Sequence, residues 1–110
     1  MDPLSAAIPA VLRDLLRRAP MSPGKMEAAW RLAVGPAIDR ATSIALRDNG
    51  TLEVAAAELA WRRELRRSHA LILARLGELL GSESVRKIKV VARLSDSATL
   101  PSGGTEDPAT

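Results

Sequence analysis

The sequence predicts a small α+β domain, a three-stranded sheet with helices on one face, in the order helix–helix–strand–strand–helix–strand. Three observations carry this. Apolar residues recur at helical spacing in three stretches. Two short strand-like runs flank Asp48-Asn49-Gly50, and a further alternating run follows the longest helical stretch. Packing the apolar stripes of the helices onto one sheet face buries them all.

The first helix is expected over 8–19, where Ile8, Leu12, Leu15, Leu16 and Ala19 share a face and Pro9 suits a first turn. Pro20 ends it, because proline disfavours helix in the residue before it. Ser22-Pro23 then reads as a hydroxyl cap followed by proline at the first helical position. Met26, Trp30, Ala33 and Val34 line one face of this second helix. Gly35-Pro36 closes it, with room for a short extra turn through 37–41.

Ser43–Arg47 and Thr51–Ala56 form a hairpin. A two-residue Asn-Gly turn would set Leu46 opposite Glu53 and mix the faces. A three-residue loop sets Leu46 opposite Leu52 and Ile44 opposite Val54, which makes one face apolar. That loop is expected, with Gly50 in the left-handed conformation. Residues 58–80 read as one long helix with Trp61, Leu65, Ile72, Leu76 and Leu79 on its inner stripe, stopped by Gly81. The last strand, Val85–Leu94, places Ile88, Val90, Ala92 and Leu94 inward and Lys87, Lys89, Val91 and Arg93 outward. Trp30 and Trp61 are both expected to be buried. The outer sheet face is expected to be open, with Arg47, Glu53, Lys87, Lys89 and Arg93 around small Ala45, Ala55 and Val91.

Residues 1–7 read as a loose lead-in, 8–94 as the domain, and 95–110 as a disordered polar tail. All 16 Lys and Arg precede residue 95 and face ten acids there, so the body is +6. The tail holds Asp96, Glu106 and Asp107 without a base and is −3. A basic body fits a polyanionic partner; charge of this size also fits mere solubility.

The absence of Cys excludes disulfides, thiolate metal sites and cysteine nucleophiles, and fits a cytoplasmic protein. No apolar run reaches the roughly 20 residues that span a bilayer, and no secretory leader is evident. His69, the one histidine, has no acid pair or second ligand beside it and reads as a packing or surface residue. No Gly-rich nucleotide cradle and no metal-ligand cluster is visible, so neither an enzyme nor a cofactor is expected.

The strongest functional candidates are Arg62, Arg63, Arg66 and Arg67, within about two turns of one helix. Guanidinium forks suit phosphate oxygens. The competing reading is a solvated face paired to Glu58 and Glu64. Lys87, Lys89 and Arg93 form a second basic patch. The tryptophans sit on apolar stripes, so base stacking is not the main mode, and nucleic-acid binding should be electrostatic and weakly sequence-selective.

Several strings resemble the DciA family. Ala29-Trp30-Arg31-Leu32-Ala33-Val34-Gly35 is similar to its Trp-to-Val-Gly opening. Thr42, Leu46, Asn49-Gly50, Leu52 and Val54 resemble its hairpin, and Ala60-Trp61-Arg62-Arg63-Glu64-Leu65 its Trp-x-x-x-Leu helix start. Leu76, Leu80-Gly81 and Val85 through Val90 resemble its close. Ser43-Ile44 stands where family members often carry a proline, and the short acidic tail stands in place of a longer basic extension.

The resemblance implies a KH-like fold, single-stranded DNA binding, and loading or recruitment of a DnaB-type replicative helicase. A true KH domain clamps nucleic acid with Gly-x-x-Gly, and no such tetrad occurs here. The expected protein is therefore a monomeric replication accessory domain whose partners are single-stranded DNA and the helicase. The helicase would meet the sheet face at Ala45, Arg47, Ala55 and Val91. An RNA-binding KH-like module and a pure protein-interaction domain are the alternatives.

Overall fold

The computed structural model describes residues 8–95. The lead-in 1–7 and all but the first residue of the tail lie outside the described residues. Seven elements follow one another: α1 (Ala10–Arg18), α2 (Pro23–Ala41), β1 (Ser43–Leu46), β2 (Thr51–Ala55), α3 (Leu59–Arg67), α4 (His69–Leu80) and β3 (Lys87–Val91). The α+β class and the three-stranded sheet are as expected.

α1 begins one residue after Pro9 and ends at Arg18, with Ala19 already extended before Pro20. It packs on α4. At the start of α2 the Ser22 hydroxyl accepts the Lys25 N–H at 3.1 Å, the capping contact that its sequence anticipates. Lys25 is itself buried and donates from Nζ to the Ala19 carbonyl at 2.6 Å. That carbonyl belongs to the C-cap of α1, so the lysine ties the two helices together.

α2 is broken at Gly35, whose φ of 87° and ψ of 165° are open almost only to glycine. A short second segment then runs from Pro36 to Ala41, the extra turn the sequence leaves room for. The Trp30 indole N–H donates to Thr42 Oγ1 at 3.0 Å, and Thr42 Oγ1 donates to the Ile38 carbonyl at 2.7 Å. These bonds fix the second segment against the first and set the entry to β1.

β1 and β2 pair antiparallel with Ile44 opposite Val54 and Leu46 opposite Leu52, the three-residue-loop register. Gly50 has φ 86°. The Gly50 N–H donates to Arg47 O at 3.0 Å, and Asn49 Oδ1 accepts the Thr51 N–H at 3.0 Å. β3 lies parallel to β2, with Leu52 opposite Ile88 and Val54 opposite Val90. The order is β1-β2-β3, so β2 is central. Trp30, Ile38, Leu52, Val54, Leu65, Ile72, Leu76 and Leu79 are fully buried together.

Five expectations are corrected. The apolar stripe of α1 is not buried as a whole, since Leu12 and Leu15 are exposed where the helix packs mainly on α4. The helix over 58–80 is two helices that meet at Ser68, with φ −100° and ψ 8°. Side chains compete with the backbone at this joint: His69 Nδ1 lies 3.0 Å from the Arg66 carbonyl, and Ser68 Oγ donates to Glu64 Oε2 at 3.2 Å. The backbone bonds Ser68 N–H to Glu64 O and Ile72 N–H to Ser68 O end and begin at Ser68, which closes one helix and opens the next.

Trp61 is half-buried, not buried, because it packs only at the margin of the core. β3 stops at Val91, level with the end of β2 at Ala55, so Ala92 is exposed instead of facing the core. The outer sheet face is not open at its centre: Thr51, Glu53 and Ala55 on β2 are all buried. The chain beyond β3 turns back over it, and the Ser95 N–H donates to Glu53 Oε1 at 2.9 Å.

Candidate nucleic-acid interface

α3 presents its arginines next to β3, with which it is in contact. The four do different things. Arg62 is half-buried, and its Nη1 donates to the Ala56 and Ala57 carbonyls, each at 2.8 Å. It holds the loop between β2 and α3 in place. Arg66 is exposed and reaches the Val90 carbonyl on β3 at 3.4 Å. Arg67 pairs with Glu64 one turn back, yet its side chain is 78% exposed. An exposed pair of this kind contributes little and exchanges readily for another anion. Arg63 is exposed and has no hydrogen-bond or ion-pair partner among the described residues.

Lys87 and Lys89 are exposed on β3, and Arg93 is exposed just past its end. β3 is an edge strand, and the Arg66–Val90 contact lies on its carbonyl side away from β2. Arg66 therefore flanks this edge from the helix layer, with Arg63 and Arg67 exposed on the same helix, and the lysines flank it from the outer face. Charged residues along an edge also block unwanted strand pairing.

On the outer face the register aligns Ser43, Ala55 and Val91 in one row and Ala45, Glu53 and Lys89 in the next. Ala45 and Val91 are half-buried and Ala55 is 7% exposed. Arg47 does not stand free: its Nη2 donates to Glu53 Oε1 at 2.6 Å and to the Ser95 carbonyl and hydroxyl, each at 3.1 Å. Burial raises the Glu53 carboxyl, but the bonds from the Ser95 N–H and from Arg47 outweigh it, and the net shift is below the ordinary glutamate range. This end of the face is a closed polar knot.

One basic residue escapes a reading by sequence. Arg40, in the last turn of α2, is exposed and lines a cleft of about 390 Å3 together with Arg93. The two are far apart in the chain and meet only because β1 starts where β2 and β3 end. No local pattern marks that meeting.

Among the described residues no group of His, Asp and Glu is placed to hold a metal ion, and no helix is long and apolar enough to cross a membrane. His69 lies on the surface.

A UPF0232 protein of Mycolicibacterium smegmatis is 34% identical over 87 residues, which cover 74% of this chain and 44% of that protein. The chain thus aligns with less than half of that relative's length. No solved structure matches the chain significantly. Residues 3–90 match the profile of the family described as "Dna[CI] antecedent, DciA", a span that takes in every element from α1 to most of β3. The chain therefore belongs to the DciA family.

Proposed function

We propose that residues 8–94 form a replication accessory domain that binds single-stranded DNA weakly and contacts a DnaB-type replicative helicase to promote its loading. The observation that carries this reading is the contact of Arg66 on α3 with the Val90 carbonyl on β3, which brings the exposed arginines of that helix and the exposed Lys87 and Lys89 of that strand onto neighbouring elements, in a chain of this family. Arg62 drops from the binding set, because its guanidinium is committed to two backbone carbonyls. The contacts are to phosphates, which position a strand without reading its bases. Loading then works by differential binding to helicase states, with ATP spent by the helicase alone. The helicase surface in this reading is the part of the outer face that stays accessible, half-buried Ala45 and Val91 beside exposed Lys89, whose charge favours an acidic partner; Ala55 is buried and Arg47 is held by Glu53 and Ser95, so both drop from the contact set.

The DNA arm is tested by fluorescence anisotropy on an oligo-dT strand across a salt series. With about four phosphates neutralised, the slope of log affinity against log salt is about −3, at roughly 0.7 per phosphate. Glutamate at both Arg63 and Arg67 lowers the affinity for all sequences alike; salt-independent binding, or full binding by that variant, rejects the site. The helicase arm is tested by unwinding of a forked substrate with the purified pair at low salt. Neither association nor a change in unwinding rejects that partner. Tighter binding to RNA of the same sequence would move an RNA-binding role ahead.

A further inference from the structure

We infer that the cleft between Arg40 and Arg93 is a second subsite for single-stranded DNA, holding one backbone phosphodiester apart from the α3 arginines. The inference rests on the DNA-binding reading above and adds a residue, Arg40, and a place that reading does not contain.

Two arginines from different elements line this cleft, Arg40 from the last turn of α2 and Arg93 from just beyond β3. Both are exposed, and neither has a hydrogen-bond or ion-pair partner among the described residues. Arg47, Arg62 and Arg67, by contrast, are already engaged.

The lining carries no acid. That sets the cleft apart from its neighbours. The groove that contains Arg31 also contains Glu27 and Asp39, and the one that contains Arg17, His69 and Arg86 also contains Glu78. In those grooves an acid lies near the bases and opposes an anion. At the Arg40–Arg93 cleft nothing in the lining does so, and paired planar forks match the oxygens of a phosphodiester.

The remaining lining suits the same ligand. Ala55, Ala57 and Ala92 leave room for a sugar–phosphate backbone to come close, and the exposed Ser43 contributes a hydroxyl. The floor is held rigid from behind, since Arg62 binds the Ala56 and Ala57 carbonyls. A preorganised floor lowers the cost of binding. The cleft also lies at the same end of the sheet as Val91, where the basic edge of β3 finishes. A strand that follows that edge reaches the cleft without a detour.

The test compares three full-length proteins on oligo-dT across a salt series: wild type, Arg40→Gln with Arg93→Gln, and Arg18→Gln with Arg31→Gln. The last pair removes the same charge elsewhere. Loss of one phosphate contact makes the slope shallower by about 0.7 in the cleft variant and weakens binding roughly three- to tenfold near 0.1 M salt. The control pair shifts the slope clearly less. In wild type the Ser43 and Ala57 amide signals move on adding oligo-dT, and inorganic phosphate at the same concentration leaves them in place. If the cleft and control variants behave alike, or those amides stay still while the strand binds, the subsite is wrong and the α3 site stands. If wild type does not bind the strand at all, the DNA reading itself fails and the subsite falls with it.

Discussion

The two tryptophans occupy similar positions on helical stripes but not similar depths. Trp30 is 1% exposed and its indole N–H is bonded to Thr42, while Trp61 is only half-buried. Trp30→Ala is expected to cost about 3–5 kcal/mol in chemical denaturation, through the cavity it leaves and the bond it loses. Trp61→Ala should cost about half as much, because part of its surface is already in water. Equal losses would show that the depth assignment is wrong. Periodicity identifies which side of a helix faces inward; it does not say how much of the partner layer lies opposite, and that is why Trp61 is overestimated from sequence. Glu53 makes the same point for a charged residue. Nothing local reveals that Ser95 returns to it across 42 positions. Its carboxyl sits below the ordinary glutamate value of 4.5, so ionised Glu53 stabilises the fold above that value, and the contribution fades as pH falls through the lowered one. The stability gap between wild type and Glu53→Gln should thus narrow on acidification from pH 7 to about pH 3. A gap that stays constant would mean that the Arg47–Glu53–Ser95 knot contributes nothing through charge.

At the scale of elements, the hairpin is legible because two independent constraints agree. The alternation of Ile44 and Leu46 with Leu52 and Val54 demands one register, and the loop Asp48-Asn49-Gly50 supplies a geometry that delivers it. Gly50 serves twice there. Its φ is 86°, and a Cβ on it would lie 2.9 Å from Arg86 Cγ and 3.0 Å from Cδ. Its carbonyl also accepts the Arg86 N–H at 2.7 Å, which starts β3 alongside β2. Gly50→Ala should therefore cost about 1–2 kcal/mol, from the left-handed backbone and the displaced arginine. Gly77→Ala, inside α4, meets nothing closer than 3.9 Å and should stabilise by up to about 1 kcal/mol. Paired thermal melts of the two variants check the contrast; a shift in the same direction for both would remove the role assigned to Gly50. The division of 58–80 into α3 and α4 is not legible in the same way. Leu65, Ile72, Leu76 and Leu79 keep helical spacing through the joint, and only the non-helical Ser68 and the side-chain bonds of Ser68 and His69 mark the break. The end of β3 is hidden for a similar reason. Ala92 and Leu94 continue the alternation, but their partner strand has already stopped.

Over the whole molecule, the sequence shows where charge is concentrated along the chain but not how the fold distributes it. The α3 arginines and β3 lysines are visible as clusters, yet one of the four arginines turns inward and Arg40 joins from a helix that shows no basic run. Clusters are local and clefts are not, so half of a candidate surface can be read early and the other half only from the fold. The charge of the chain beyond Ser95 bears on that surface. Asp96, Glu106 and Asp107 lower the net charge from +6 to +3. The described chain ends at Ser95 on the outer sheet face, bonded to Arg47 and to Glu53, which stands beside Lys89. The acids that follow Ser95 in the sequence are expected to raise the local negative potential and to compete with phosphates for the basic residues. Ending the chain after Ser95, with the new C-terminus amidated so that the Ser95 carbonyl stays neutral, keeps the groups that bind Arg47 and Glu53 and removes residues 96–110 with their three acids. Affinity for oligo-dT should then rise several-fold at about 0.05 M salt, where the screening length exceeds 10 Å, and the two forms should converge near 1 M, where it is about 3 Å. Thermal stability at pH 7 should be unchanged, since the deletion touches no core residue. Anisotropy titrations at the two salt concentrations measure the difference. Equal affinity at low salt would show that the acids lie too far from the basic edge to matter, and weaker binding by the shortened chain would mean that the segment assists the strand instead of opposing it.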